Sequence, residues 1–577
     1  MNFIRLITLW IVVCYAVGVS ALEFTENRIS YETIGRDTVV QIVKATCSGD
    51  VVIPDIVYHK EQAYVVKSIK AGAFSENRGI NSVIIQDGIT KIGDKAFSNC
   101  KRLTSVTLPQ TLTELGRNAF ADCGNLTSIS QLGQIKVLNN STFWNCAKLT
   151  DIELPETLER IGDKVFYNCA TLKRISIPDK VRRLGTLVFA GCTLLNDVTL
   201  SKNIIIMASQ CFGSCMSLET IELPDGITTL TESTFQDCTS LRSVKLPKEL
   251  TKIERSAFLR CSALPAIDIP AKVTSLGEKV FDECSSMENI NVEEGNSVYS
   301  SDLGLLLALG GKKLVRCPEG RRDICTIPNS VTELAPKAFE GCSELQQILM
   351  SDRLYTIGER AFAGCSSLKS VSLPASLEYL GEKAFFQCTS LEVVTFADPA
   401  SNSSNPYFKT YGQQVGYDSG RYLGSIQSYT FAECEKLKSI VIPSSVKTIV
   451  DDAFFGCRSL EEIYCRAIVP PVIYNLSNNY SSRHTTVIVM PHTGNAYKNA
   501  SGWKRYDIEE LISEEEYLAD RKRQIEQKQQ MEAQEAAYKQ MTREQKKLYR
   551  NQQKNAKAAH KARLKAEKQR QRDREKK

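Results

Sequence analysis

One phrase governs this chain. It reads LTSVTLPQTLTELGRNAFADC at residues 103–123 and returns every 23 residues. Its Phe marks the step. Phe97, Phe120, Phe143, Phe166, Phe189, Phe212, Phe235, Phe258 and Phe281 are evenly spaced, with Phe74 at their head. Phe339, Phe362 and Phe385 resume the series after one break, and Phe431 and Phe454 after a second, fifteen in all. Fourteen of the fifteen are followed three residues later by Cys, while Phe74 is followed by Asn77. A fixed period of this length means a stack of like units, none able to bury its apolar side alone.

The chemistry of one period predicts its path. Leu103, Val106 and Leu108 are apolar and Ser105 and Thr107 alternate with them, the pattern of a short strand buried on one side. Pro109 ends it, because proline has no donor for a ladder. Leu112 and Leu115 supply a second apolar ledge, and Gly116 is expected to provide a tight turn. Ala119, Phe120 and Cys123 fall at helical spacing and predict a single helical turn. The fold class is a repeat solenoid, mainly β with short helical turns. At roughly 4.8 Å per stacked strand, fifteen coils reach about 70 Å.

The pattern C-x-x-L-x-x-(V/I)-x-(L/I)-P, followed by I-G-x-x-A-F-x-x-C, resembles the BspA-type leucine-rich repeats of bacterial surface proteins. It runs from about Ile53 to Cys465. The resemblance implies a curved, right-handed solenoid displayed outside the cell, with partners that differ among members.

The remaining segments fit around that body. Residues 1–21 read as a secretory signal: Arg5, the apolar run Leu6–Val19 and a small-residue cleavage site at Val19-Ser20-Ala21. A lipoprotein reading at Cys14 and an uncleaved anchor are the weaker alternatives. The signal places the chain outside the cytoplasm, extracellular or on the cell surface, with the periplasm as the other location. Residues 22–70 lack the phrase but carry strand runs, as an N-terminal β cap should. The solenoid spans 71–460 with inserts at 292–322 and 397–429. The first insert resembles a hairpin common in that family, with Gly310-Gly311 at its turn. Residues 461–510 resemble the family's C-terminal cap, with a short helix around Ala496–Ala500.

Residues 511–577 form a charged tail with helical propensity and an imperfect heptad, a weak coiled coil or a solvated helix. Residues 512–577 hold twenty Lys+Arg and eleven Asp+Glu, a net of +9, which leaves about −3 on residues 1–511 of a chain whose formal charge is +6. Its basic end suits an anionic surface such as a glycan or an envelope polymer. The export signal argues against nucleic acid.

Twenty Cys in an exported chain would ordinarily suggest disulfides. Here fourteen occupy one repeat position, each beside a Phe, so they are expected to be free and buried. Cys47, Cys317, Cys325 and Cys465 lie off that ladder, and a pair among them stays open. The four His all lie outside the repeats, and no P-loop, GxSxG or HExxH occurs. No catalytic, metal or cofactor site is expected.

Two stretches are candidate partner-binding surfaces. One is the outward row of the strands, with Asp151, Glu153, Arg174, Asp197, Glu222 and Lys245 on what should be the concave sheet. The other is the second insert, where Tyr407, Phe408, Tyr411, Tyr417, Tyr422 and Tyr429 stand among Ser, Gly and Asn, the composition of adaptable recognition loops. Phe408 lies in 23-residue register, so the insert reads as a loop that replaces one coil. The expected function is protein binding or adhesion by a monomeric solenoid. The alternative is a carbohydrate or envelope-polymer module using the Tyr-rich insert and the basic tail.

Overall fold

The computed structural model describes residues 21–35, 38–396, 422–450, 452–474 and 485–511. All but the last residue of the expected export signal at 1–21, and the tail beyond 511, lie outside the described residues. The chain winds as a β-solenoid, and each full coil has three sides. On the first, Ser105–Thr107 pairs in parallel with Ile80–Ile85 before it and Ser128–Ile129 after it, in steps of 23 residues. On the second, Glu114–Leu115 pairs in parallel with Lys91–Ile92. Leu103, Val106, Leu112 and Leu115 point inward and are buried.

The third side departs from the sequence expectation. The segment around Phe120 forms turns, not a helical turn. Asn118 (φ 54°) and Asp122 (φ 61°) are left-handed, and the same two places are left-handed beside Phe97 and Phe143. The reason lies in the donors. In this backbone the N–H groups of Asn118, Phe120 and Asp122 reach the carbonyls of Asn140, Thr142 and Trp144 on the next coil, at 3.1, 2.9 and 2.7 Å. A helix would use those donors internally and leave the stack unbonded on this side. Gly116 is also corrected. It is not at a left-handed φ; a Cβ there would lie 2.4 Å from the backbone of Gly93 and Asp94 on the preceding coil. Its role is close approach between coils, not turning.

The core is a set of ladders. Consecutive Phe rings stack from Phe74 to Phe281, and again from Phe339 to Phe454, with centroids 4.6–6.0 Å apart. Near-parallel aromatic contact adds about 0.5–1.5 kcal/mol per pair beyond burial. The Cys ladder does more than fill space. In thirteen coils the thiol donates to the carbonyl of the Phe one coil back, at 3.1–3.3 Å, as Cys123 does to Phe97. In eleven of these thirteen the Phe carbonyl also accepts the N–H of the Cys in its own coil, as Phe120 does from Cys123. A buried carbonyl has two lone pairs, and leaving capacity unused in an apolar core costs stability. A small apolar side chain with one weak donor suits that place. All nineteen described cysteines are buried and free, and the Cys342 thiol donates to the carbonyls of Cys317 and Pro318 at 3.8 and 3.7 Å.

The breaks differ in kind. In the first, Tyr299–Asp302, Leu305–Ala308 and Lys313–Arg316 form an antiparallel meander, with Gly310 and Gly311 left-handed at its second turn. In the second, the described flanks close directly on each other. Phe385 stacks on Phe431 at 5.4 Å, and Val393–Phe396 pairs with Ser439–Ile442. The 46 residues from Phe385 to Phe431 therefore span a single step of the described stack, consistent with a loop in the place of one coil. Tyr407, Phe408, Tyr411 and Tyr417 lie outside the described residues.

Both ends differ from the repeat. Antiparallel strands Glu23–Glu26, Ile29–Thr33 and Val39–Ala45 lead into the parallel stack, with Phe24 against His59, centroids 4.4 Å apart. At the other end Thr486–Val489 and Asp507–Glu510 extend the first-side sheet. The short helix Gly494–Asn499 sets Tyr497 and Trp503 over the last coil, their polar tips on the carbonyls of Ala467 and Pro471 at 2.6 and 2.7 Å.

Two outcomes test this core. Phe212 has no exposed surface, and Phe212→Ala should cost roughly 3–5 kcal/mol. Because coils contact only neighbours, hydrogen exchange should rise locally around that coil; an unchanged melting profile would refute the burial. Burial also pushes the Cys238 and Cys284 thiols up to about 12, so they stay protonated at neutral pH. The folded protein should therefore resist thiol reagents. The unreduced, denatured protein should release most ladder thiols as free, and finding nearly all of them paired would overturn the assignment.

Candidate functional site

The expected row on the first-side strands exists, and the register fixes its spacing. Arg174 faces Asp197, Thr220 faces Ser243, and Glu222 faces Lys245 across the parallel ladder. The charges of the row are largely spent on one another. Arg174 bonds Asp151 at 2.6 Å, and Lys245 bonds Glu222. The Arg174 guanidinium holds the Asp151 carboxyl below the usual carboxylate range. Glu153 and Asp197 are exposed. The face is polar and regular, and its charges unpaired among the described residues, Glu153 and Asp197, leave it mildly acidic over these coils. Opposite charges 23 residues apart were the sequence signal for this pairing: Asp151 with Arg174, Glu222 with Lys245, Glu249 with Lys272.

The two described tyrosines of the second insert have different surroundings. Tyr422 is 41% exposed. Tyr429 is half-buried in the first left-handed place of its coil (φ 54°). Its hydroxyl donates to Asp452 at 3.3 Å, and the Lys383 ammonium lies 5.4 Å from its ring centroid. It is built into the solenoid. The strand Ser425–Ile426 just before it already pairs with Thr448–Ile449. Sequence reading passed over Tyr355 and Tyr379, which are 41% and 47% exposed on the second side of the two coils before Tyr422. Their signal was available: both stand next to, or within, the short second-side strand where other coils carry Thr or Lys.

The first break forms a second polar feature inside the molecule. There the Phe stack stops and the buried core divides in two. Arg316 fills the gap, only 8% exposed, donating to the Lys337 carbonyl at 2.7 Å and pairing with Asp282 at 3.2 Å and with Glu319. Glu319 also accepts the Glu283 N–H at 2.9 Å. A cleft of about 350 Å³ opens beside this cluster, lined in part by Phe281, Asp282, Arg316 and Pro336. Among the described residues no group of His, Cys, Asp and Glu could hold a metal ion, and no helix is long and apolar enough to cross a membrane.

Comparison with known proteins places this architecture. A family model described as the BspA type leucine rich repeat region matches residues 67–196, 186–302, 323–413 and 420–488. Among solved structures, a leucine rich cell surface protein from Faecalibacterium prausnitzii is 24% identical, over 87% of this chain and 97% of that one, with a TM-score of 0.37. A leucine-rich repeat protein from Bacteroides ovatus is 22% identical, over 85% and 99%, with a TM-score of 0.48. The pneumococcal vaccine antigen PcpA is 17% identical, over 86% and 100%, with a TM-score of 0.34. No curated protein matches.

The buried cluster carries a pH prediction. Burial pushes the Glu319 carboxyl up to about 7, against the pull of Arg316. A carboxyl raised on folding contributes stability that is complete below its unfolded value and lost as pH rises through its folded one. Stability should therefore fall between about pH 4.5 and 7 through this group. Glu319→Gln should flatten that slope in denaturation curves taken across the window. Parallel slopes in wild type and variant would refute the shift.

Proposed function

The chain belongs to the BspA-type leucine-rich repeat family, and from that premise we propose that it is an exported, non-enzymatic scaffold that binds protein at a cell surface. Proteins of this family are typically cell-surface or secreted, and the fold is one of protein interaction. The observation that carries the reading is the exposed surface itself. A ladder-built core on each side of the first break holds polar rows on successive strands at a fixed spacing. Preorganised rows of this kind suit an extended protein surface, because little ordering remains to be done on binding. The exposed Tyr422, with the other aromatics of the insert, would supply the anchors, since Tyr brings ring and hydroxyl at low entropic cost. Export rests on residues 1–21.

The test is made on the full chain. It is offered to a panel of extracellular matrix and cell-surface proteins, and in parallel to a glycan array. The expected result is saturable binding to a protein. Replacing Tyr411, Tyr417 and Tyr422 together with Ser should abolish that binding and leave melting nearly unchanged. Loss of stability, with binding in proportion to folded protein, would instead assign these rings to packing. Binding confined to glycans would overturn the protein reading.

A further inference from the structure

Charge in this solenoid is matched from coil to coil. Lys91 meets Glu114, Arg174 meets Asp151, Lys245 meets Glu222, Lys272 meets Glu249, and Arg260 lies between Asp237 and Glu283. One strip on the second side breaks the rule. Arg160 and Arg183 hold the same outward place on adjacent strands, as the pairing of Ile161 with Leu184 requires, and Arg182 directly precedes Arg183. All three are exposed, and among the described residues none has an ion-pair partner. Stacked strands lie about 4.8 Å apart. Like charges set opposite each other at that distance are destabilising. The stacked Lys337, Arg360 and Lys383 are engaged by Glu340 and Glu382, whereas the three arginines of this strip have no such carboxylate.

The strip also continues into a groove. An open channel of about 640 Å³ runs along the second side from Lys70 past Lys91 and Lys136 to Arg160. Its lining carries four cations, Lys70, Lys91, Lys136 and Arg160, and two carboxylates, Asp94 and Glu114; Lys70 is engaged by Glu32 at 3.0 Å and Lys91 by Glu114 at 2.8 Å, so the free charge lies at the Lys136–Arg160 end. Asp94 already accepts the Arg117 N–H at 2.7 Å, and Lys136 is held only loosely by Glu159, at 3.6 Å. Beyond Arg183 the outward place passes to Ile206, 44% exposed beside Ile205, which ends the charged run.

We propose that the strip from Lys136 through Arg160 to Arg182 and Arg183 binds a linear polyanionic glycan, a polymer bearing carboxylate or sulfate on its sugars. An open channel crossing successive coils admits a chain and encloses no compact ligand. The guanidinium fork matches carboxylate and sulfate oxygens in pairs, and cations repeating with the coils suit anions repeating with the sugars. An acidic peptide is less well served, because these strands are paired within the stack and offer no free edge for its backbone. Single-stranded nucleic acid would want aromatic platforms, and the groove has no aromatic lining. The site shares no residue with the protein-binding reading and stands independently of it.

The experiment uses the full chain, whose basic tail will itself attract polyanions, so the readout must resolve single residues. Heparin fragments and polygalacturonate are the probes, one sulfated and one carboxylated; dextran and polyglutamate are the controls. Arginine modification by phenylglyoxal is followed by mass spectrometry. Heparin, polygalacturonate or both should protect Arg160, Arg182 and Arg183 more than Arg174, which Asp151 already engages, and the protecting probe identifies the anionic group. The variant Arg160→Ser, Arg182→Ser, Arg183→Ser should melt as wild type does and bind the probe several-fold more weakly, with a shallower salt dependence. Arg174→Ser should leave affinity unchanged. Absence of protection at the three arginines, or equal protection by polyglutamate or dextran, would overturn the proposal.

Discussion

The structure depends on one relation: each residue stands beside its own counterpart 23 positions away. The backbone is bonded along the stack on all three sides, and the third side achieves this only because two residues per coil accept a left-handed conformation. Non-glycine residues hold that conformation at a cost of roughly 1–2 kcal/mol each. The donors it turns toward the next coil offset the cost, and the Phe and Cys between them are carried into the core. Local strain and long-range order are therefore the same feature. The glycines before this segment follow from the same geometry, since coils there approach too closely for a Cβ.

Self-juxtaposition sorts side chains by type. Apolar groups gain from meeting their like, so Phe stacks on Phe and Leu on Leu. Amides tolerate it, as Asn145 and Asn168 do by sharing a hydrogen bond at 2.6 Å. Charges lose by it, and several rows alternate in sign, as Asp151 does with Arg174 and Glu222 with Lys245. Where the translation fails, the core must be closed by other means. At the first break a buried arginine with two carboxylates replaces the aromatic stack, a join that is costly in desolvation and fixed in geometry. At the second, the coil closes on itself and the ladder continues from Phe385 to Phe431.

Much of this was legible in the sequence because the repeat is legible. The first-side strands and the buried Phe and Cys ladders follow from apolar spacing, and the hairpin turn at Gly310-Gly311 from turn chemistry; the helix near Ala496 came with the family resemblance, and the added strand Tyr299–Asp302 makes the expected hairpin a meander. The errors share one cause. Helical spacing at Ala119, Phe120 and Cys123 reports which side chains point inward, and a tight left-handed turn points the same ones inward. Gly116 could be read as a turn residue because sequence cannot distinguish a need for φ from a need for space. The thiol bonds to the Phe carbonyls needed coordinates, because they join residues 26 apart in most coils. Of the candidate faces, the outward places of the strands were readable, whereas the pairing of their charges required seeing which rows meet.

The last strand at the C-terminal end of the first-side sheet, Asp507–Glu510, reads Asp-Ile-Glu-Glu, and the first strand of the N-terminal sheet, Glu23–Glu26, begins and ends in Glu. A stack of parallel strands is in principle extensible without limit, since every exposed edge is a template for another chain. Carboxylates crowd both of these edges. Two molecules brought end to end would place like charges across the first bonds they tried to form. A further strand laid on either of these edges would therefore meet carboxylates before its own bonds could close.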